Sequence, residues 1–270
     1  MEEKQMSELK NVAMKYLWDD HDQFEIVGKP ALVLNHMQRG LAGEGLFIPN
    51  WGPHAAQGIK DSGMVEKCRE LADAFRAKGL PVIFCNAIPK PLPYMPAYGD
   101  LPKEQDAAFP EARMYNPVTD EFARKGCEVM PEMGYDPKTD YIVYNWHVHP
   151  FTCSGLEKLC HVLGVDTIVW GGFAMNSVVY TSCVVAQDYW LNNIVAVDSS
   201  YICVQLSKKS WTPDIDDIVA HAVVGVMMQD TARVTDTATV IKKLENVTKF
   251  EEPDHRTFRN VGRQVDERNV

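Results

Sequence analysis

Two periods of apolar residues run along the chain. Short unbroken runs recur at Ala31–Leu34, Leu80–Cys85, Tyr141–Tyr144 and Ile194–Val197, and within Asp166–Trp170 as Ile168–Val169–Trp170. Runs of this length, bounded by Gly, Pro or polar clusters, read as strands buried on both faces. Between the first two runs the spacing changes to three and four, with Val65, Cys68, Leu71, Ala72 and Phe75 forming one stripe. That stripe predicts an amphipathic helix over 62–78, started by Asp61 or Ser62 and ended by Gly79. Helices are also expected at Leu156–Leu163, Asn176–Leu191, Asp214–Met228 and Thr237–Leu244, with a short edge strand at Ala232–Val234. Strand, helix, strand is the βαβ unit. Its repetition predicts an α/β fold: a single doubly wound (Rossmann-like) parallel sheet with helices on both faces.

The pattern also divides the chain. Residues 1–29 form an N-terminal helical arm, with a helix from about Ser7 to Trp18. Residues 30–245 are the α/β domain, and residues 246–270 are a charged C-terminal tail. Inside the domain, residues 35–60 read as loop because Gly and Pro are frequent there. Residues 86–135 carry Pro89, Pro91, Pro93, Pro96, Pro102, Pro110, Pro117 and Pro131, and read as a long insertion too irregular to be core. Such loops commonly carry function or form interfaces.

Composition narrows the partners. The 270 residues hold 27 Lys+Arg against 37 Asp+Glu, a net charge of −10. An acidic surface repels phosphate backbones, which argues against nucleic acid. No apolar run approaches the ~18 residues of a membrane span, so no membrane is expected. The seven Cys are scattered, without a C-x-x-C pair, so no zinc site or dithiol motif is expected. Most lie among apolar neighbours and read as small buried hydrophobes. Met1–Lys4 is acidic and lacks an apolar stretch, so no signal peptide is expected, and a cytoplasmic location is the simplest reading.

Four segments together carry a resemblance. They are Leu34–Asn35–His36–Met37–Gln38; Arg76 through Gly79 leading into Pro81–Val82–Ile83–Phe84; Val143 through Phe151, then Leu156; and Leu163 through Gly172, followed by a helix and Asp198. In this order they resemble the isochorismatase-like, or cysteine-hydrolase, superfamily over roughly residues 30–245. In most of that family an Asp acts as base, a Lys stabilises charge, and a Cys at a helix start attacks an amide carbonyl. On this sequence the matching positions carry His36, Asn145 and Val178. All three differ, so the resemblance implies the fold without its usual triad. Isochorismatases proper also lack the Cys and cleave a vinyl ether through an Asp acid. His36 could take that acid/base place, since imidazole titrates near neutrality.

The candidate catalytic residues are therefore His36 and Asn145. Asn35 and Gln38 flank the first, at the carboxyl end of a strand where open α/β sheets bind ligands. Trp146, His147 and His149 follow Asn145, and in extended chain His147 and His149 point the same way as Asn145. Phe173, Asn176, Ser177 and Val178 occupy a strand-to-helix turn. Its N–H groups could hold negative charge, while Asn176 could also serve only as a cap. Trp170 is the remaining candidate wall. The expected function is a hydrolase-like enzyme acting on a small carboxylate, amide or vinyl ether by acid/base chemistry without a Cys nucleophile. The alternatives are a non-catalytic binding protein, and a metal-assisted hydrolase using His36, His147 and His149. No cofactor is expected, because neither G-x-G-x-x-G nor a Walker sequence occurs. The resemblance implies a small-molecule substrate and a homodimer or homotetramer.

Overall fold

The computed structural model describes residues 11–45, 52–88, 121–145, 148–152, 154–202 and 213–248. Six strands make one parallel sheet: β1 (Pro30–Asn35), β2 (Val82–Ala87), β3 (Tyr141–Asn145), β4 (Thr167–Phe173), β5 (Asn192–Tyr201) and β6 (Arg233–Thr235). Their order is β3-β2-β1-β4-β5-β6, with every neighbouring pair parallel. The chain winds outward in one direction from β1 to β3 and in the other from β4 to β6. The order therefore reverses between β1 and β4, and the crevice of an open α/β sheet lies at the carboxyl ends of such strands.

Alternation along the strands feeds two cores. Leu32, Leu34, Val82, Phe84, Val169, Ile194 and Ala196 pack on one face against Leu71, Phe75, Val240 and Leu244. Ala31, Val33, Ile83, Cys85, Ile168, Trp170 and Val195 pack on the other against Leu156, Cys160, Cys183, Ala220 and Val224. Both faces are covered, which is why these strands read as unbroken apolar runs.

The helices are α1 (Gly52–Asp61), α2 (Met64–Ala77), α3 (Glu121–Cys127), α4 (Leu156–Leu163), α5 (Tyr180–Asp188), α6 (Pro213–Val226) and α7 (Thr237–Leu244). Helix α2 starts from Gly63 in a left-handed conformation, and the Ser62 hydroxyl accepts the Met64 N–H at 3.2 Å. Its Arg76 holds Asp140 with both Nε (3.0 Å) and Nη2 (2.7 Å), which ties α2 to the start of β3. Helix α7 is capped by Asp236, whose carboxylate accepts the Thr239 N–H at 2.7 Å.

Several expectations change. The stretch 35–60 is not all loop: Arg39–Gly43 forms a π-helical turn and α1 follows. The Gly52–Pro53 pair that reads as a breaker opens α1 instead, since Pro in a first turn removes only an N–H that has no helical partner. The segment 86–135 is not wholly outside the core. Its described part holds α3 and a one-turn helix at Pro131–Met133, and Met130 and Met133 are fully packed into the first core. Main-chain bonds add it to the sheet end, with Met130 N–H donating to Met37 O at 3.0 Å. Residues 89–120 lie outside the described residues. In the arm, the described part is a 3₁₀ turn at Val12–Tyr16 instead of a long helix. Its anchor is Asn11, whose amide donates to Val197 O at 2.9 Å and Ser200 O at 2.6 Å. The helix expected over 176–191 divides into a π-helical turn at Met175–Val179 and α5, and that over 214–228 ends in a further π turn at Met227–Thr231. The tail beyond 248 lies outside the described residues. Among the described residues no helix is long and apolar enough to cross a membrane.

Candidate functional site

Strands β1, β2, β3 and β4 end together. Asn35 pairs in register with Cys85 on one side and Gly172 on the other, and Asn145 pairs with Ala87. The sheet thus brings the ends holding Asn35–His36, Asn145 and Phe173 to one edge.

Gly172 sets the approach of β4 to β1. Its φ is +101°, and a Cβ built there would stand 2.1 Å from Asn35 O and 2.7 Å from Asn35 N. Only glycine suits both the torsion and the gap. The chain continues through a cis Phe173–Ala174 peptide into the Met175–Val179 turn. In that turn the Ser177 and Val179 N–H groups both donate to Ala174 O at 3.2 Å. Those two amides are already engaged, so the expected anion-binding turn has fewer open donors than its sequence suggested. Ala174 occupies the cap and Asn176 lies within the turn, which corrects the reading of Asn176 as an N-cap. Val178 and Phe173 are buried.

His36 leaves the strand with φ +55°, a left-handed conformation uncommon for a side-chain-bearing residue. Its N–H donates to Cys85 O at 2.8 Å, which holds it at the end of β2. The ring is 5% exposed, and Nε2 has no hydrogen-bond partner. Burial lowers its pKa to about 4, so the imidazole is neutral near pH 7. Asn35 is fully buried, and neither amide atom has a partner.

Gln38 is buried too, but its amide is occupied. Nε2 donates to Ala87 O and Gly126 O, each at 2.9 Å, and Oε1 accepts the Ala87 N–H at 2.6 Å. The side chain imitates a strand neighbour for Ala87 and pins α3 to the sheet. Gln38→Ala leaves one donor and two acceptors unmatched in a buried place. It should lower stability by about 2–3 kcal/mol, read as a shifted urea midpoint with unchanged slope.

Asn145 is fully buried, and its main-chain O accepts the Ile88 N–H at 2.9 Å. His149 is half-buried, with Nε2 at 3.2 Å from Thr152 Oγ1. Trp146 and His147 lie outside the described residues. Trp170 belongs to the core: it is fully buried, and its indole N–H donates to Asn193 Oδ1 at 2.8 Å. Among the described residues no three His, Cys, Asp or Glu side chains gather to hold a metal ion.

The structure adds Asn86. It is fully buried at the end of β2, donates to Cys127 O at 2.9 Å, and its Oδ1 has no partner. The signal was present in the sequence, because Asn86 ends the second apolar run much as Asn35 ends the first. None of the described thiols is activated. Burial pushes Cys127 and Cys160 up to about 12, and raises Cys68, Cys85 and Cys183 as well.

Residues 30–239 match the family model for the isochorismatase domain. A comparison with curated proteins finds no match. Solved structures of similar fold include a candidate hydrolase of the isochorismatase family from Chromobacterium violaceum, with TM-score 0.59 and 20% identity over 83% of this chain and 98% of that one. An isochorismatase family protein from Burkholderia thailandensis aligns with TM-score 0.56 and 22% identity, covering 82% of this chain and 99% of its own. A cysteine hydrolase from Pseudomonas syringae pv. phaseolicola aligns with TM-score 0.57 and 19% identity, covering 80% and 92%. With the family model spanning most of its length and the six-stranded parallel sheet in place, the chain belongs to the isochorismatase family.

Proposed function

We propose that the chain is a hydrolase of small molecules that works through His36 without a Cys nucleophile. The observation that carries this reading is the buried, neutral His36 ring, whose Nε2 no protein group engages. A ring with a pKa of about 4 is in the unprotonated form that a general base requires at neutral pH, and the same burial makes it a weaker base than a free imidazole. The same value makes it a poor acid, with on the order of one ring in a thousand protonated at pH 7. General base is therefore the better role. His36 takes a proton from a water that attacks a carbonyl carbon, then returns it to the departing nitrogen or oxygen. Vinyl-ether cleavage begins with proton donation to carbon, so it suits this ring less well than hydrolysis of an amide or ureide. The raised thiols support a route that does not begin with a thiolate, since the thiolate is the reactive form. Asn145, at the same carboxyl edge but one strand removed from β1, takes the orienting role.

The test is a turnover screen of the full chain against amides, ureido acids and vinyl ethers, run beside His36→Asn. Carbonyl hydrolysis that collapses in the variant is the expected result. Turnover that survives intact in His36→Asn removes the base from the reading.

A second reading is favoured by one observation. The positions where the family usually holds Asp, Lys and Cys carry a His that is neutral at pH 7, an Asn and a Val. Such a site binds an uncharged ligand without transforming it. Specific binding with no turnover across the screen would select this reading.

A further inference from the structure

The polar groups at the carboxyl edge of β1 and β2 share a property. Asn35 and Asn86 are fully buried and His36 is nearly so; each keeps at least one unpartnered polar atom, and none carries a formal charge near pH 7. A buried polar atom without a partner is costly, so native proteins rarely retain one without a use. Asn35 is the extreme case, because both ends of its amide are unmatched. Strand alternation sets Asn35 on the face that carries Ala31, Val33 and Cys85, in the second core. An apolar side chain of similar volume would fit that core at no polar cost.

We infer that this site takes an uncharged ligand presenting a hydrogen-bond donor and acceptor side by side, the edge of a lactam, cyclic imide or ureide, and that the Asn35 amide reads that edge. The complement follows from chemistry. A carboxamide offers one donor and one acceptor on the same side, and a cis –NH–C(=O)– edge matches both at once. A carboxylate ligand offers only acceptors, would oppose Asn35 Oδ1, and would need its charge neutralised in a place where His36 is held unprotonated. This narrows the proposed substrate class and rests on the reading that the carboxyl edge is the ligand site. It does not require that the ligand be hydrolysed.

The experiment has a ligand-free arm and a binding arm, both on the full chain. Asn35→Leu and Asn35→Val are compared with wild type by thermal unfolding, and at least one should melt at a higher temperature. Binding is measured by calorimetry and ligand-observed NMR with 2-pyrrolidone, hydantoin, 2-pyridone and oxindole, each beside its N-methyl derivative, and with benzoate. At least one N–H compound should bind tenfold or more tightly than its N-methyl partner and than benzoate, and the folded Asn35 variant should lose that preference. Lower melting temperatures in both variants overturn the inference, because Asn35 is then a structural residue satisfied in the free protein. So does a panel in which no N–H compound binds, or in which benzoate binds as well. Preferred binding of an N–H compound with no turnover sinks the hydrolase reading and leaves this one standing. Hydrolysis indifferent to Asn35→Leu does the reverse.

Discussion

Gly172→Ala should unfold the sheet at its centre, costing at least about 4 kcal/mol or leaving the chain insoluble. Two separate penalties act at this residue. The first is torsional: φ is +101°, outside even the small left-handed region that L side chains visit, and such strain costs on the order of 1–3 kcal/mol. The second is steric: the new Cβ would sit 2.1 Å from Asn35 O and 2.7 Å from Asn35 N, both main-chain atoms of the neighbouring strand. Neither atom can turn aside as a side-chain tip would, so β1 and β4 must part. That breach falls where the strand order reverses and beside His36.

Gly164→Ala sets the scale for a torsional cost within the ordinary left-handed region, with no steric one. Gly164 caps α4 with φ +64°, and a Cβ there meets nothing within 4 Å. It should cost only about 1 kcal/mol. Urea unfolding of both variants, followed by tryptophan fluorescence, measures the difference. Equal losses would mean that the contact with Asn35 contributes nothing.

The two glycines differ in how far the local sequence announces them. Gly164 was legible as a helix stop, because the apolar period ends there and Leu163 is its last member. Gly172 was legible only as part of a turn, since its partner Asn35 is more than a hundred positions away in sequence and nothing local announces the approach. The same distinction runs through the fold. Helices α4 and α7 end where local periodicity and polar flanks say they should. Helix α1 was hidden by its own Gly and Pro, and α3 by its brevity and its charged sequence. Met130 and Met133 enter the core through pairing with the Met37–Arg39 segment, a long-range event without a local period.

The site divides the same way. That Asn35, His36 and Asn145 share one edge follows from strand order, which the βαβ alternation implies. That Gln38 is taken up by Ala87 and Gly126 does not follow, because a Gln at a strand end is equally apt to face a ligand. The left-handed turn at His36 was equally invisible. It has a practical consequence, since Ala would confound lost chemistry with backbone strain, whereas Asn tolerates that conformation.

His36→Asn is accordingly the informative substitution, and it carries the largest functional effect expected: a loss of 10²–10⁴-fold in turnover of whichever substrate the screen identifies, the usual range for a general base. Wild-type turnover should rise with pH through about 4 and then stay level, because the ring must be unprotonated to act. A rise centred near the ordinary imidazole value of ~6.5 would show that the ring is not held in its desolvated place.

Stability provides an independent reading of the same proton. The folded pKa lies below the unfolded one, so between them the unfolded chain binds the extra proton. Stability attributable to His36 is therefore full above about 6.5 and declines as pH falls toward about 4. A gap of that width corresponds to about 3 kcal/mol. The difference between wild type and His36→Asn, measured by urea unfolding across this window, should change by that amount with a slope of one proton. Parallel curves would mean that the folded ring protonates freely, and a ring that does so at neutral pH would be able to act as an acid, returning vinyl-ether cleavage to the open possibilities.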